Sequence, residues 1–308
     1  MNSNYQTTIS KAIEFEGIGL HSGKKSLLKI LPAGVNHGVV FKRTDLKTSN
    51  VIEASYLNVT STKLCTTLEN NNGVKVSTVE HLLAALYIAE IDNVLIEINS
   101  DEVPIMDGSA KIFLDGIKNS KKIEQSEKRK FLKITDKVEL IDGKRKISIE
   151  PGDNSLEVEF QLNYKNSIIG SQKNIINFQK DNIEDVSKSR TFCLFEDIEK
   201  IKSVGLAKGG SLDNAVVVND NEVMNEEGLR NEKEFVNHKI LDLAGDFLLS
   251  GYRILGKVNC HEGGHELSNL FLRKIFNSKA AFKVTDENKY KITKSFSSNK
   301  LEKLAVNA

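Results

Sequence analysis

The chain has 308 residues, and 43 lysines and arginines against 42 aspartates and glutamates give a formal net charge of +1. This balance lacks the basic excess of nucleic-acid-binding proteins. A hydrophobic fraction of 39% is typical of a folded chain, and the length is sufficient for two domains. Three scattered cysteines exclude a disulfide framework, and no apolar run approaches the ~20 residues that cross a bilayer. The amino-terminal residues show no signal-peptide pattern, so we expect a cytoplasmic protein without a membrane span.

The first half of the chain alternates as strands do and then changes period. The runs KAIEFEG, KSLLKIL, VVFKR, VIEASYL and KLCTTLE predict strands, and NNNG predicts a hairpin turn before VKV. Apolar residues at helical spacing predict a helix over 77–90, where Ser77 and Glu80 match a capping box. The strand NVLIEI and a second helix that starts near Ser109 follow.

The second half repeats this order after a polar segment, residues 119–130, which predicts a linker. Strand-like runs lead to a long helix over about 232–250, then to the strand RILGKVNC and a helix over about 266–276. Both halves thus close in the order helix, strand, helix, which indicates a diverged duplication. His81 and His238 lie in the first helix of each set, so packing of the halves with pseudo-twofold symmetry would bring the two imidazoles together.

The duplication predicts how the chain divides into domains. We expect one domain over residues 1–124 and a second over 125–285, with a region of mixed strand and helix pattern inside the second at about 168–212. A polar tail over 286–308, rich in lysine, serine and asparagine, is predicted to be frayed.

His238 and Asp242 lie four residues apart in the long helix, so their side chains stack on one face. An imidazole and a carboxylate in this arrangement form half of a site for a first-row metal, although a hydrogen-bonded pair on a solvated helix face is the simpler alternative. His81 would complete a set of two nitrogens and one oxygen, which leaves one position open for water, as in catalytic zinc sites. The alternative for His81 is a packed histidine beside Leu82.

Two further residues suit proton transfer. Glu80, next to His81, would stand beside the ion as a base, although its place in the capping box is a sufficient explanation by itself. His265 follows two glycines in HEGGHE, and Asp246 is the carboxylate that would orient it and favour its protonated form. The alternative for His265 is a loop histidine without a partner. The segment KGGSLDNA lacks the spacing of a phosphate-binding P-loop.

Several long motifs, in order and with matching spacing, resemble one enzyme family. STVEHLLAAL, VPIMDGSA, SRTF, GLAKGGSLDNAVVV, GLRNEKEFVNHKILDLAGD and HEGGHELSN are similar to the UDP-3-O-acyl-N-acetylglucosamine deacetylases, from about Gln6 to Phe276. These enzymes are zinc-dependent amidohydrolases that release acetate from an acylated UDP-sugar in the committed step of lipid A biosynthesis. The resemblance implies an α+β fold of two similar domains, each a β-sheet packed on two helices and each carrying an insert.

The resemblance also implies a role for each motif residue. The implied zinc ligands agree with the set reached above from the residues: His81, His238 and Asp242. Glu80 would activate the attacking water, and the Thr191 hydroxyl would stabilise the oxyanion together with zinc. His265, steadied by Asp246, would protonate the leaving amine, and Lys239 would contact the substrate near the zinc.

The insert at about 168–212 is implied to form an apolar passage for the 3-O-acyl chain. The residues that the resemblance places near it are Phe192, Ile198, Leu212, Ala215 and Val217. Core packing is the alternative for these five side chains. Leu20 and Cys65 would face the mouth of the active site from the first domain. Departures from the family pattern at Asn166–Ser167 and at Cys193 lie near the insert and leave the preferred acyl length open.

Three alternatives stay open at this point. Two histidines and an aspartate also accept Fe²⁺, so either metal fits the donor set. A non-catalytic binding protein on the same scaffold is disfavoured because Glu80 and His265 are both present. A zinc amidase of another substrate class is disfavoured by the apolar insert and by the length of the match. We expect the protein to act as a monomer.

Overall fold

A computed structural model describes residues 4–286, so the predicted polar tail lies outside the described residues apart from Asp286. The first half of the chain supplies nine strands and two α-helices within that range. They are β1 (Tyr5–Ile9), β2 (Ile13–Ile18), β3 (Lys25–Pro32), β4 (Val39–Arg43), β5 (Val51–Glu53), β6 (Val59–Ser61), β7 (Thr67–Glu69), β8 (Lys75–Val76), α1 (Glu80–Ile88), β9 (Val94–Ile98) and α2 (Lys111–Ser120).

The second half supplies the remaining elements of the described range. They are β10 (Lys122–Lys128), β11 (Phe131–Ile134), β12 (Val138–Asp142), β13 (Arg145–Glu150), β14 (Leu156–Asn163), β15 (Ser171–Asn177), α3 (Glu184–Lys188), β16 (Phe192–Leu194), α4 (Phe195–Ser203), β17 (Val216–Asn219), β18 (Glu222–Val223), α5 (Glu234–Leu248), β19 (Arg253–His261), α6 (His265–Asn277) and β20 (Phe282–Thr285). Short 3₁₀-helices lie at Tyr56–Asn58 and Lys279–Ala281.

Each half has one main sheet. Along the chain, the central strand of that sheet lies between the two main helices of the same half. The first sheet has the order β2-β3-β9-β4-β5, and β9 pairs in parallel with β4. The second has seven strands, and its central strand β19 pairs in parallel with both β11 and β14. The expected order of helix, strand and helix is therefore present in both halves, and the predicted α+β fold is confirmed.

Helices α1 and α5 pack against each other, and α5 also packs on β14 and β15 of the second sheet. Residues Glu80–Tyr87 of α1 are all buried, as is α5 from Glu234 to Leu248 with the exception of Lys239. A helix that is covered on every side needs apolar residues around most of its circumference, which explains the runs LLAAL and LDLAGDFL. Because both helices are buried, the few polar side chains that they carry are enclosed between the two halves.

Gly245 sets the distance between the two central helices. A Cβ atom built on this residue would lie 2.1 Å from the carbonyl oxygen of Glu80, so no larger side chain fits without a backbone shift. We expect Gly245→Ala to lower the free energy of unfolding by about 1–3 kcal/mol, the usual cost of overpacking, and to disturb Glu80 at the same time. Thermal unfolding beside Gly34→Ala, where an added Cβ meets nothing within 4 Å, measures this effect. Equal melting temperatures for the two variants would contradict it.

Two segments differ from the sequence-based expectation. Residues Lys122–Lys128 of the predicted linker form β10, which pairs antiparallel with β1. Residues Ser171–Asn177 pair with β14 and so belong to the seven-stranded sheet. The separate three-stranded sheet of β16, β17 and β18 therefore begins and ends later in the chain than the insert predicted at about 168–212. The division of the chain into domains at residues 124 and 125 stays a prediction.

Candidate active site

The contact between α1 and α5 brings the two helical histidines together. The rings of His81 and His238 lie with their centroids 5.0 Å apart and their planes at 77°. Both residues are buried, with 4% and 2% of their surface exposed. The two imidazoles therefore meet, as the repeated order of elements led us to expect.

Asp242 completes a compact group of three ligand-type side chains. Its Oδ1 atom lies 3.4 Å from Nε2 of His238 and 3.6 Å from Nε2 of His81. The three ligand atoms all lie within 4.8 Å of one another. Ligands held at roughly 2.0–2.2 Å around a tetrahedral ion are themselves roughly 3.3–3.6 Å apart, so the separations around Asp242 suit a shared ion.

The protonation and pairing of these side chains also fit a metal. Oδ1 of Asp242 is buried without a hydrogen-bond partner, which is costly for a carboxylate unless a cation is bound there. Nδ1 of His238 lies 3.1 Å from the carbonyl oxygen of Ser189, and donating its proton to that oxygen leaves Nε2 free as a ligand. Burial lowers the pKa of His238 to about 3, so the imidazole is neutral, the form that binds metals.

A buried ion pair fixes the segment that orients His238. Arg190 is fully buried, and its Nε atom donates to Oε1 of Glu234, at the start of α5, over 2.9 Å. The backbone N–H of Arg190 donates to the same oxygen over 3.0 Å. Because Arg190 stands between Ser189 and Thr191, this pair holds both the carbonyl that faces His238 and the hydroxyl of Thr191 in place.

Glu80 is free of the capping role that the sequence suggested. Helix α1 starts without a side-chain cap, and the hydroxyl of Ser77 instead donates to the carbonyl of Asp101. Oε2 of Glu80 accepts a hydrogen bond from the backbone N–H of Thr66 over 3.0 Å, and burial raises the pKa of its carboxyl. The capping-box interpretation is therefore wrong, and Glu80 is a buried carboxylate beside the His81 ligand position.

His265 has the partner expected for a protonated imidazole. Its Nδ1 lies 3.0 Å from Oδ2 of Asp246, and its Nε2 lies 3.8 Å from Oε1 of Glu80. Burial alone would lower the pKa of His265, but the carboxylates of Asp246 and Glu80 outweigh it and raise this pKa to about 10. His265 is thus a cation at neutral pH and can donate a proton inside the cavity.

Lys239 is the one residue of α5 that is not buried, and it reaches the same group. Its Nζ donates to Oδ2 of Asp242 over 3.0 Å and lies 5.6 Å from the ring centroid of Phe192. The ammonium therefore occupies one carboxylate oxygen of Asp242 and leaves Oδ1 to the two histidines.

Two adjoining cavities meet at these residues. One, of about 320 Å³, is polar. It is lined by Glu80, by His265 and by the three ligand-type side chains of His81, His238 and Asp242, here called the metal-type group. The other, of about 300 Å³, is mainly apolar and lies beside α4 and β17. Leu20, Thr191 and Phe192 line both cavities, so the apolar space opens directly beside the polar one.

The structure brings together all but one of the residues expected to bind the substrate. The apolar cavity is lined by each residue predicted for the acyl passage: Phe192, Ile198, Leu212, Ala215 and Val217. Leu20 lies at the shared wall, as expected for the mouth. Cys65 is different, because it is 5% exposed and lines neither cavity. Burial, together with the nearby Glu80 carboxylate, raises the pKa of its thiol to about 12, and a place for Cys65 at the mouth stays a prediction.

Sequence reasoning missed several residues of the site. Leu64, Arg145 and Tyr164 line the polar cavity, and Thr66 contacts both Glu80 and Asp246. These residues come from loops and strands of both halves, where no spacing rule links them to the helical motifs. The only signal near Thr66 was its place in the run LCTTL.

The geometry defines a hydrolytic metalloenzyme. Two histidines and a carboxylate could hold one metal ion, the buried carboxylate of Glu80 lies beside them, and the imidazole of His265 faces that carboxylate across 3.8 Å, an arrangement that suits metal-assisted hydrolysis. The chain belongs to the LpxC family of UDP-3-O-acyl N-acetylglycosamine deacetylases, whose profile matches residues 6–277.

Curated relatives agree with this membership over nearly the whole chain. The UDP-3-O-acyl-N-acetylglucosamine deacetylase of Haemophilus ducreyi is 40% identical over 280 residues, which are 90% of this chain and 92% of the relative. The enzyme of the same name from Geotalea uraniireducens is 42% identical over 274 residues, 89% of each chain. Among the helices within residues 4–286, none has the length and apolar character needed to cross a membrane.

Proposed function

We propose that the protein hydrolyses the N-acetyl group of UDP-3-O-(3-hydroxyacyl)-N-acetylglucosamine and releases acetate, in the committed step of lipid A biosynthesis. The observation that carries this proposal is the joining of a polar cavity with a His–His–Asp group to an apolar cavity of about 300 Å³. A sugar amide in the first cavity would place a neighbouring acyl chain in the second. Membership in the family supports the same reaction.

His81, His238 and Asp242 would hold the metal, and we propose zinc, for which Fe²⁺ is the alternative in the cell. A zinc ion, when bound, polarises a carbonyl oxygen and lowers the pKa of water. The donor set supports this assignment because it contains no thiolate and includes a neutral imidazole and a carboxylate oxygen without another partner.

The chain's own residues would carry the proton transfers. Glu80 would take a proton from the attacking water, and its raised pKa makes it a better base at neutral pH than an exposed carboxylate. The hydroxyl of Thr191 would donate to the acetamide oxygen as that oxygen gains negative charge. His265 would donate its proton to the amine nitrogen as the C–N bond breaks, so the products are acetate and a free 2-amino sugar nucleotide.

Lys239 and the residues of the apolar cavity would bind the substrate. The Lys239 ammonium, 3.0 Å from Asp242, would add positive charge beside the reacting carbonyl. The side chains around Phe192 and Val217 would cover the methylenes of the acyl chain. We place the reaction in the cytoplasm, where the sequence predicts the protein, and propose that one chain forms the whole site as a monomer.

Acetate release separates this proposal from an amidase of another substrate class. UDP-3-O-acyl-N-acetylglucosamine should be hydrolysed with a kcat/KM at least a hundredfold above that of UDP-N-acetylglucosamine, because each buried methylene contributes ~0.8 kcal/mol. Equal rates for the two substrates would show that the apolar cavity is not used and would overturn the assigned substrate.

A narrowed cavity should shift the preferred acyl length. Val217 is 6% exposed and lines the apolar cavity, so Val217→Phe should displace about two methylenes and lower kcat/KM for a long acyl chain by about tenfold. A substrate with a short acyl chain should keep its rate, as should a Val204→Phe variant, whose position is exposed and outside the cavity. An equal loss for short and long chains would contradict the placement of the acyl chain.

A further inference from the structure

Four active-site side chains form a closed ring of contacts that begins and ends at Thr66. The Thr66 hydroxyl donates to Oδ1 of Asp246 over 2.7 Å, and Oδ2 of Asp246 accepts from Nδ1 of His265 over 3.0 Å. Nε2 of His265 faces Oε1 of Glu80 across 3.8 Å. Oε2 of Glu80 then accepts from the backbone N–H of Thr66 over 3.0 Å, which closes the ring.

Thr66 contacts both carboxylates that surround His265. Its hydroxyl is the donor to Oδ1 of Asp246, and its amide is the donor to Oε2 of Glu80. Each carboxylate is thereby fixed by one oxygen and presents the other oxygen to the imidazole. Thr66 itself is 1% exposed, so water does not compete for either bond.

The backbone around Thr66 is built to hold this position. Leu64, two residues before it, has a φ of +64°, a conformation that side chains other than glycine rarely adopt. The turn leaves Leu64 half exposed at the cavities and directs Thr66 into the interior. The carbonyl of Thr66 also accepts from the backbone N–H of Val79, the residue that precedes Glu80. The loop is therefore tied to the start of α1.

We propose that Thr66 is a positioning residue for the proposed hydrolysis and that its hydroxyl acts through Asp246 on His265. This inference rests on the proposed function. A carboxylate that accepts a hydrogen bond on Oδ1 is held in one rotamer, so Oδ2 stays aligned with Nδ1 of His265 and Nε2 stays aimed at the leaving group. Thr66 lines neither cavity, and its hydrogen bonds go to Glu80, Asp246 and Val79 and not to the three metal-type side chains.

Substitutions at Thr66 separate the hydroxyl from the bulk of the side chain. Thr66→Val removes the hydroxyl and keeps the shape and the amide, and we expect kcat to fall by about tenfold with KM changed less than twofold. Thr66→Ser keeps the hydroxyl, and its kcat should lie within threefold of the unmodified enzyme. Thr67→Val is the matched control. The Thr67 hydroxyl lies 3.9 Å from Sγ of Cys65 and takes part in none of the four contacts described above, so this variant should keep its kcat.

A double-mutant cycle tests whether Thr66 acts through Asp246. In an Asp246→Ala background, Thr66→Val should lower kcat by less than a further twofold, since the partner of the hydroxyl is already gone. A full additional tenfold loss would overturn the proposal. So would a Thr66→Val enzyme with kcat within twofold of normal, or an equal loss of kcat in Thr66→Val and Thr66→Ser. Thr66→Ala, which needs less space, replaces the valine variant if that variant does not fold.

A spectroscopic reading distinguishes failure of this inference from failure of the proposed function. The proton on Nδ1 of His265 should give a hydrogen-bonded resonance in proton NMR that is absent in Asp246→Asn. In Thr66→Val this resonance should shift upfield and exchange faster with water, while in Thr67→Val it should not change. An unchanged resonance in Thr66→Val would overturn the positioning role whether or not the unmodified protein releases acetate.

Discussion

Replacing Glu80 by glutamine is expected to lower kcat by roughly 10²–10⁴-fold, the usual contribution of a general base, while the protein still binds one metal ion per chain. Glutamine has the shape of glutamate and can still accept the hydrogen bond from the Thr66 amide, so the fold around α1 should survive. What it cannot do is take a proton from water. Steady-state acetate release and metal analysis of the same sample measure both parts of this prediction.

A surface carboxylate provides the control for the Glu80 variant. Glu97→Gln changes a carboxylate of β9 that pairs with Lys42 at the surface, and it should keep full turnover. Normal turnover in Glu80→Gln would remove Glu80 from the role of base. Loss of the metal in that variant would instead mean that Glu80 is a fourth ligand beside the set of His81, His238 and Asp242.

Removing His265 should have an effect of similar size, again without loss of metal. His265→Ala removes the imidazole whose Nε2 faces Oε1 of Glu80, and kcat should fall by roughly 10²–10⁴-fold because the leaving amine then lacks the proposed proton donor. His261→Ala is the matched control, since His261 lies in the same HEGGHE run but contacts Asn163 instead. Protein isolated without metal would show that His265 is structural or a ligand.

The proposed role of His265 predicts the direction in which activity changes with pH. In the proposed mechanism the active form is the protonated imidazole, whose pKa is raised to about 10, so activity should persist at neutral pH and fall as the pH rises through that value. Asp246→Asn removes the nearest carboxylate that raises this pKa. The alkaline limb of the profile of kcat/KM should therefore move to lower pH in that variant. An unmoved limb would show that another group sets it.

The metal-type group was accessible to sequence reasoning for two physical reasons. A spacing of four residues places His238 and Asp242 on one helix face whatever the tertiary structure. The repeated order of helix, strand and helix then brought in His81 from the other half, because two similar halves pack through corresponding elements. The motifs that resemble the family added the roles of Thr191 and Lys239, which no periodicity indicates.

Other features depend on tertiary contacts that the sequence does not encode locally. Strand β10 is exposed on both faces and is held by backbone pairing with β1, so its polarity suggested a linker. Ser77 and Glu80 have the spacing of a capping box, but the Thr66 amide competes successfully for the carboxylate. Cys65 was placed at the mouth by resemblance, and its buried thiol lies near Glu80 but is not among the residues that line the two cavities.

The most direct test of the central claim is acetate release from UDP-3-O-acyl-N-acetylglucosamine by the same protein sample in three states: as isolated, after chelation, and after addition of one equivalent of Zn²⁺. If the group of His81, His238 and Asp242 carries the reaction, release should stop on chelation and return with zinc, and an Asp242→Ala sample should not recover. Release that continues at an unchanged rate in metal-free protein would contradict the account.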